Sequence, residues 1–146
     1  MTQVQQVSVF LENKSGRLAQ VARIVADAGI NLGALSIADT SDFGILRFIC
    51  DQPDKAAQAL RAAGFSVGEA HVLAVRVPHR PGGLADLMAV IEPLRVNIEY
   101  LYAFAARHGE DAIVVMRIEN ERIAQVAEAL GRADYVVLSG EQAYDV

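Results

Sequence analysis

The sequence is poor in the residues that would signal redox or metal chemistry. Cys50 is its single cysteine, which excludes an internal disulfide and a Cys-x-x-Cys site. His71, His79 and His108 stand apart, without a second ligand at a metal spacing, so no metal is expected. No apolar run approaches the ~20 residues of a membrane span. The opening "MTQVQQ" has no basic segment leading into an apolar stretch, so no signal peptide is read and a cytoplasmic location is expected. Basic residues are scarce too: 13 Lys and Arg stand against 18 Asp and Glu, a net charge of −5. Divided after Val72, the first half carries six basic and seven acidic residues and the second seven and eleven. Neither half has the basic footprint that phosphate backbones require, so neither nucleic acid nor a membrane is an expected partner. No Ser, Cys or Lys has an adjacent His and acid to activate it, so no catalytic residue is read. "RPGG" lacks the spacing and the following Lys-Ser/Thr of a phosphate loop, and no cofactor is expected.

What the sequence does have is apolar residues and a repeat. Hydrophobic residues make up 53% of 146 positions, enough for one packed domain or two very small ones. "VQQVSVFL" alternates around Val7, Val9 and Leu11 and reads as a strand. "ENKSG" breaks it. Leu18, Val21, Ala22, Val25 and Ala28 then share one helical face, with Ser15 placed to cap its start and Gly29 to end it. "NLGALSIA" and "FGILRFIC" are strands around the polar turn "DTSD". "PDKAAQALRAAG" is a helix with Pro53 in its first turn, and "FSV" opens a fourth strand. The second half repeats the order: "VLAVRV", the loop "HRPGG", a helix from Leu84 to about Leu94 with Pro93 as a stop, strands "VNIEYLYAFA" and "AIVVMRI", helix "ERIAQVAEALG", and strand "YVVLS". Gly16 matches Gly82, Leu18 matches Leu84 and Asn31 matches Asn97, each 66 positions on (82 minus 16). No linker intervenes.

Each half is therefore a β-α-β-β-α-β unit, the split βαβ or ferredoxin-like sandwich with two helices on one sheet face. The fold class expected is α+β, two such units in tandem, at residues 1–71 and 72–146. The opposite sheet face should be covered as well, since "FGILRFIC", "IEYLYAFA" and "AIVVMRI" are apolar on both sides. A second copy of the chain would cover it, and the stripe Tyr100, Tyr102 and Phe104 is expected at that homodimer contact.

The two glycine loops are the best candidates for chemistry. A glycine at the mouth of a helix admits a ligand to the backbone, where unpaired N–H groups favour a carboxylate. Lys14 and Arg80 each precede the glycine by two residues. Ser-Gly and Pro-Gly are also ordinary strand-to-helix turns; repetition of Gly, Leu and Asn in both units favours the ligand reading. Asn31 and Asn97 either cap backbone groups or face the loop of a neighbouring unit. Asp39 and Asp42 read as a solvated hairpin turn, and Cys50 as a small core hydrophobe.

The strand, then "NKSGRL" or "HRPGGL", then a helix, then "GINL" or "VNIEY" resembles a tandem pair of ACT domains, over essentially the whole chain. Stretches such as "SVFLENKSGRLAQV" and "VLAVRVPHRPGGLA" are similar to stand-alone two-ACT proteins. The resemblance implies a non-enzymatic sensor whose two domains join side by side into an eight-stranded antiparallel sheet with helices on one face. A small molecule, most often an amino acid, sits where the loop after strand one meets the start of a neighbour's strand two. Carried onto this chain, that implies Asn13, Lys14, Ser15, Gly16, Arg17 and Leu18 with Asn31 and Leu32, and His79, Arg80, Pro81, Gly82, Gly83 and Leu84 with Asn97 and Ile98. Ser15 stands where the family usually has proline, and Gly82-Gly83 is doubled, so the two sites should differ in affinity. The alternative is a regulatory subunit that binds a metabolic enzyme and no ligand of its own. A catalytic ferredoxin-like fold such as acylphosphatase would use a loop arginine, which Arg17 or Arg80 could supply, but neither unit has the strand-three asparagine.

Overall fold

The computed structural model describes residues 3–12, 14–39, 43–106 and 109–145. Strands β1 (Val4–Glu12), β2 (Ala34–Asp39), β3 (Phe43–Ile49), β4 (Ser66–Pro78), β5 (Tyr100–Ala105), β6 (Asp111–Arg117) and β7 (Val136–Val137) alternate with helices α1 (Arg17–Asp27), α2 (Pro53–Ala62), α3 (Gly83–Ile91) and α4 (Asn120–Arg132). The chain divides into two compact units, one spanning Gln5–Ala70, the other starting at His71 and including Val4.

In the first unit β1 lies between β3 and β4, with β2 outside β3. The alternation of β1 sends Val7, Val9 and Leu11 to one side, where they meet Leu46 and Phe48 of β3, Val21 and Val25 of α1, and Ala56 and Leu60 of α2. Two helices thus pack on one sheet face, and each buried Val, Leu or Phe side chain contributes about 1.5–3 kcal/mol. The second unit repeats the arrangement. β4 lies between β6 and β7, with β5 outside β6. Leu73, Val75 and Val77 of β4 pack with Val114 and Met116 of β6, Leu87 and Ile91 of α3, and Ile123, Val126 and Leu130 of α4.

Helix ends follow one recipe. Gly29 has φ +77, its N–H bonds Ala26 O at 2.9 Å, and Ile30 N–H reaches Val25 O at 3.1 Å. Gly64 ends α2 in the same way, with Phe65 N–H on Leu60 O at 3.0 Å. This double bond around a left-handed residue satisfies the last carbonyls of each helix. At the end of α4 the left-handed residue is Asp134, φ 68.

Several expectations need correction. Among the described residues there are seven strands, not the eight of the expected sheet. "GEAHVLAV" contains no turn, so the last strand of the first unit and the first of the second form the single strand β4. Ser15 does not cap α1; Gly16 takes the cap position with φ 86 and no side-chain cap bond. Helix α4 runs past Gly131 to Arg132, because Asp134 rather than Gly131 adopts the left-handed turn. Strand β5 begins at Tyr100, three residues after Asn97, since the 3-10 turn Glu92–Leu94 and left-handed Arg95 delay the return to the sheet. "YVVLS" shrinks to Val136–Val137. The last residues form helix α5 (Gly140–Asp145), with Ala143 buried. Of the apolar face read for α1, Leu18 is 45% exposed and Ala22 is exposed as well, while Val21 and Val25 are buried.

The sheet face away from the helices differs between the units. In the second, Ala74, Ile113 and Val115 on that side are fully buried within the single chain, and Tyr100, Tyr102 and Phe104 beside them are half-buried. In the first, the corresponding side presents Phe10 and Phe43 to solvent. The face expected to be covered throughout is therefore open in the first unit at its loop end, while Gln6 and Ile49 towards its other end are buried.

Candidate functional site

The two strand-to-helix loops match bond for bond. In the first, Lys14 N–H bonds Glu12 O, Arg17 N–H bonds Lys14 O at 3.4 Å, and Gln20 N–H bonds Gly16 O at 3.0 Å. In the second, Arg80 N–H bonds Pro78 O, Gly83 N–H bonds Arg80 O at 3.0 Å, and Asp86 N–H bonds Gly82 O at 2.9 Å. Every donor and acceptor is displaced by the same 66 positions (80 minus 14, 86 minus 20). Gly16 has φ 86 and ψ −9; Gly82 has φ 85 and ψ −7. That left-handed conformation is open to glycine at no steric cost. With glycine at the cap, neither α1 nor α3 has a side-chain cap; the N–H groups of Arg17 and Gly83 turn back onto the loop, which leaves those of the next residues, Leu18 and Leu84, to solvent or to an anion.

The loop cations are both engaged. Lys14 Nζ lies 2.8 Å from a Glu12 carboxylate oxygen, and Arg80 Nη2 lies 3.1 Å from Asp86 Oδ2. Both pairs are exposed, so water and salt screen them and they add little to stability. The Lys14 ammonium, hydrogen-bonded to Glu12, holds that carboxyl below its usual range, with Arg17 adding to the effect. Gly83 has a separate task. A Cβ there would lie 2.3 Å from the Pro78 carbonyl oxygen, so the doubled glycine answers to the close approach of α3 to the end of β4. Cys50 is buried in the first unit's core, and burial pushes its thiol up, away from the thiolate a nucleophile needs.

Of the candidate residues, Asn13 lies outside the described residues. Lys14, Ser15, Gly16 and Leu18 are exposed and contiguous in one loop, with Arg17 half-buried at the start of α1. His79, Arg80, Pro81, Gly82 and Leu84 are exposed in the other, around buried Gly83. Asn31 and Asn97 are exposed, while Leu32 and Ile98 pack in part against the cores of their units. Within one unit the loop and the asparagine do not come together. Glu12, which leads into the first loop, sits opposite Phe43, whereas the far end of the sheet pairs Ala34 with Ile49, next to Asn31. Six strand steps separate the two ends (49 minus 43), roughly 20 Å. The second unit is laid out alike, with Pro78 opposite Asp111 and Tyr100 opposite Arg117. A site using both a glycine loop and a strand-two lead is not built within one unit.

The sequence reading passed over a third element at the loop end, the turn from the second helix into the last strand. In the first unit this turn, with Phe10, Arg17 and Phe43, walls a cleft of about 330 Å³. In the second, the equivalent turn, with Arg76, Arg80 and Asp111, walls one of about 310 Å³. The signal was present: Leu60, Ala63 and Phe65 recur as Leu130, Ala133 and Tyr135, each 70 positions on (130 minus 60). Among the described residues no three His, Cys, Asp or Glu side chains gather as a metal site, and no helix is long and apolar enough to cross a membrane. His108, Asp42 and most of the "DTSD" turn lie outside the described residues.

Comparison with known proteins places these features. A family model described as an ACT domain pair matches residues 1–140. The crystal structure of protein BT0572 from Bacteroides thetaiotaomicron is 39% identical, covers 99% of this chain and 98% of its own, and superposes with a TM-score of 0.90. The ligand-free regulatory subunit of aspartate kinase from Thermus thermophilus is 19% identical over 88% of this chain and 91% of its own, TM-score 0.66. The Thermus flavus subunit is similar, at 19% identity, 89% and 92% coverage, and TM-score 0.64. At these identities the kinase subunits share the fold alone. No curated protein matches the chain.

Proposed function

The chain belongs to the ACT domain-pair family, a family of regulatory domains, and from that premise we propose that it is a non-catalytic module that binds a small ligand, an amino acid. The reading places the carboxylate on the uncapped N–H groups beyond Gly16 and Gly82, with the asparagine-led strand start of a neighbouring ACT domain completing each site. One observation carries it: the two loops keep the same hydrogen bonds and the same left-handed glycine although most of their side chains differ. A generic turn has no reason to repeat in that detail. Residues 1–71 and 72–146 are taken as the two ACT domains, the cytoplasm as the location, and a side-by-side sheet as their arrangement.

A thermal-shift and calorimetric screen of the twenty amino acids tests the reading. A ligand held at a hundred times its Kd should stabilise the protein by about 2.7 kcal/mol. Absence of any shift or heat at millimolar concentration would count decisively against it.

A second reading is an interaction subunit for a partner enzyme. What favours it is exposed apolar surface in the first unit: Leu35 and Ile37 of outer strand β2 on the helix side of the sheet, and Phe10 and Phe43 on its other face, are each at least 45% exposed. The Leu35 and Ile37 surface of β2 supports a homodimer, since closed twofold pairing is the commonest way to bury an exposed apolar patch. Sedimentation equilibrium at micromolar concentration should give twice the 15.7 kDa chain mass; the mass of one chain would sink the dimer.

A further inference from the structure

The twin clefts occupy equivalent places but are lined by opposite chemistry. Each is bounded by the end of its unit's first strand, the first turn of its first helix, the start of its third strand and the turn into its last strand. Where the first unit has Phe10, Phe43 and Phe65, the second has Arg76, Asp111 and Tyr135. In the second unit both of the cleft's arginines are paired with carboxylates of the same cleft, and Asp134 adds a further carboxylate. Arg76 Nη1 is 3.6 Å from Asp111 Oδ2, and Arg80 Nη2 is 3.1 Å from Asp86 Oδ2.

In the first unit the diagonal that Arg76 and Asp111 bridge belongs to two aromatic rings. Phe10 pairs with Ile45 and Phe43 with Glu12, so both rings stand on one sheet face as diagonal cross-strand neighbours. They are 49% and 56% exposed, and a planar apolar group laid against them would remove that area from water. Arg17 stands at the helix side of the same cleft. Its nearest carboxylate, Glu12, is 4.0 Å away and already bound by Lys14 at 2.8 Å; its own hydrogen bond goes to the neutral Gln20 at 3.1 Å. The guanidinium fork therefore keeps donors for a second carboxylate. The volume is at the lower end of small-molecule sites, about 300 Å³ and upward.

We propose that the first unit's cleft binds a small aromatic carboxylate, its ring against Phe10 and Phe43 and its carboxylate on Arg17, and that the second unit's ion-paired cleft does not. The site needs no ammonium group, so it stands or falls separately from the amino-acid reading of the glycine loops.

The probe is 3-phenylpropionate, which has the ring and the carboxylate alone, titrated into the full chain and followed by backbone-amide NMR. Saturable shifts are expected at Gly44 and at Gly64 to Ser66, and none at Asp134 to Val136. Propionate, lacking the ring, should bind about tenfold more weakly or worse, as should 3-phenylpropionate to the double variant Phe10→Ala/Phe43→Ala and to Arg17→Gln. None of the three side chains belongs to either core, so the variants should keep the amide spectrum of the cores. Four outcomes would overturn the proposal: no saturation at tens of millimolar, equal shifts in the second cleft, equal affinity for propionate, or unchanged binding by the variants. Shifts at Phe10 and Phe43 that follow protein concentration instead of the probe would assign the rings to a second copy of the chain and overturn it as well.

Discussion

Gly16→Val and Gly82→Val are each expected to weaken amino-acid binding at their own loop about a hundredfold while lowering Tm by only a few degrees. The stability side follows from the structure. A Cβ at Gly16 meets nothing within 4 Å, and one at Gly82 meets only an Arg80 side-chain nitrogen at 3.9 Å. There is room for a side chain, so the cost is the left-handed backbone, about 1–2 kcal/mol. In a chain of this length that is roughly 2–4 °C per kcal/mol. The binding side follows from the proposed site. A β-branched residue at φ near +86 drives the loop out of the left-handed region, turning the first N–H groups of the helix away from the carboxylate. Losing two charge-assisted hydrogen bonds at about 1.5 kcal/mol each is a factor of about a hundred. Calorimetry of each variant with the amino acid found in the screen, beside its melting curve, checks both halves. Wild-type affinity in both variants would remove these loops from the site.

Gly83→Ala should cost about 1–3 kcal/mol of stability, and Gly131→Ala, the same change in another helix, should gain about 0.5–1 kcal/mol. Both glycines are helical, and alanine is the better helix former at both. The difference is what a Cβ would meet: a Pro78 backbone oxygen at 2.3 Å for Gly83, and nothing within 4 Å for Gly131. A backbone carbonyl at the end of a paired strand cannot swing aside, since Pro78 is held opposite Asp111. Helix α3 would have to move off β4, and Leu87 and Ile91 would lose their seat in the core. Arg17 holds the equivalent position in the first unit with a full side chain, so the tight approach is specific to α3. Urea denaturation of the two variants gives the comparison; destabilisation by Gly131→Ala, or none by Gly83→Ala, would contradict it.

Much of each unit was legible in the chain. Val7, Val9 and Leu11 announced a strand with one buried side, and the structure buries all three. Val21 and Val25 marked the inner face of α1, Pro53 its place at the start of α2, and Gly29 and Gly64 the left-handed helix ends. Leu18 misled because it falls on the apolar face by spacing, yet the helix begins only one residue earlier and its first turn projects past the sheet core. Asp134 was missed because the glycine rule pointed to Gly131, although aspartate tolerates the same backbone region.

Side-chain periodicity, turn chemistry and the 66-residue offset act over a few neighbouring residues, so the amino-acid order by itself determined that two βαββαβ units follow one another with a glycine loop in each. Tertiary structure alone decided what depends on segments distant in sequence. The register of β2 on β3 puts Asn31 and Gly16 at opposite ends of a sheet, and no local pattern carries a register. The pressing of Gly83 onto Pro78, the exposure of Phe10 and Phe43, and the Arg76–Asp111 pair that fills the same place in the second unit arise the same way. Pairing of β1 with β3 and of β4 with β6 brings together residues more than thirty positions apart, and which side chains then meet is settled only when the sheet closes over its core.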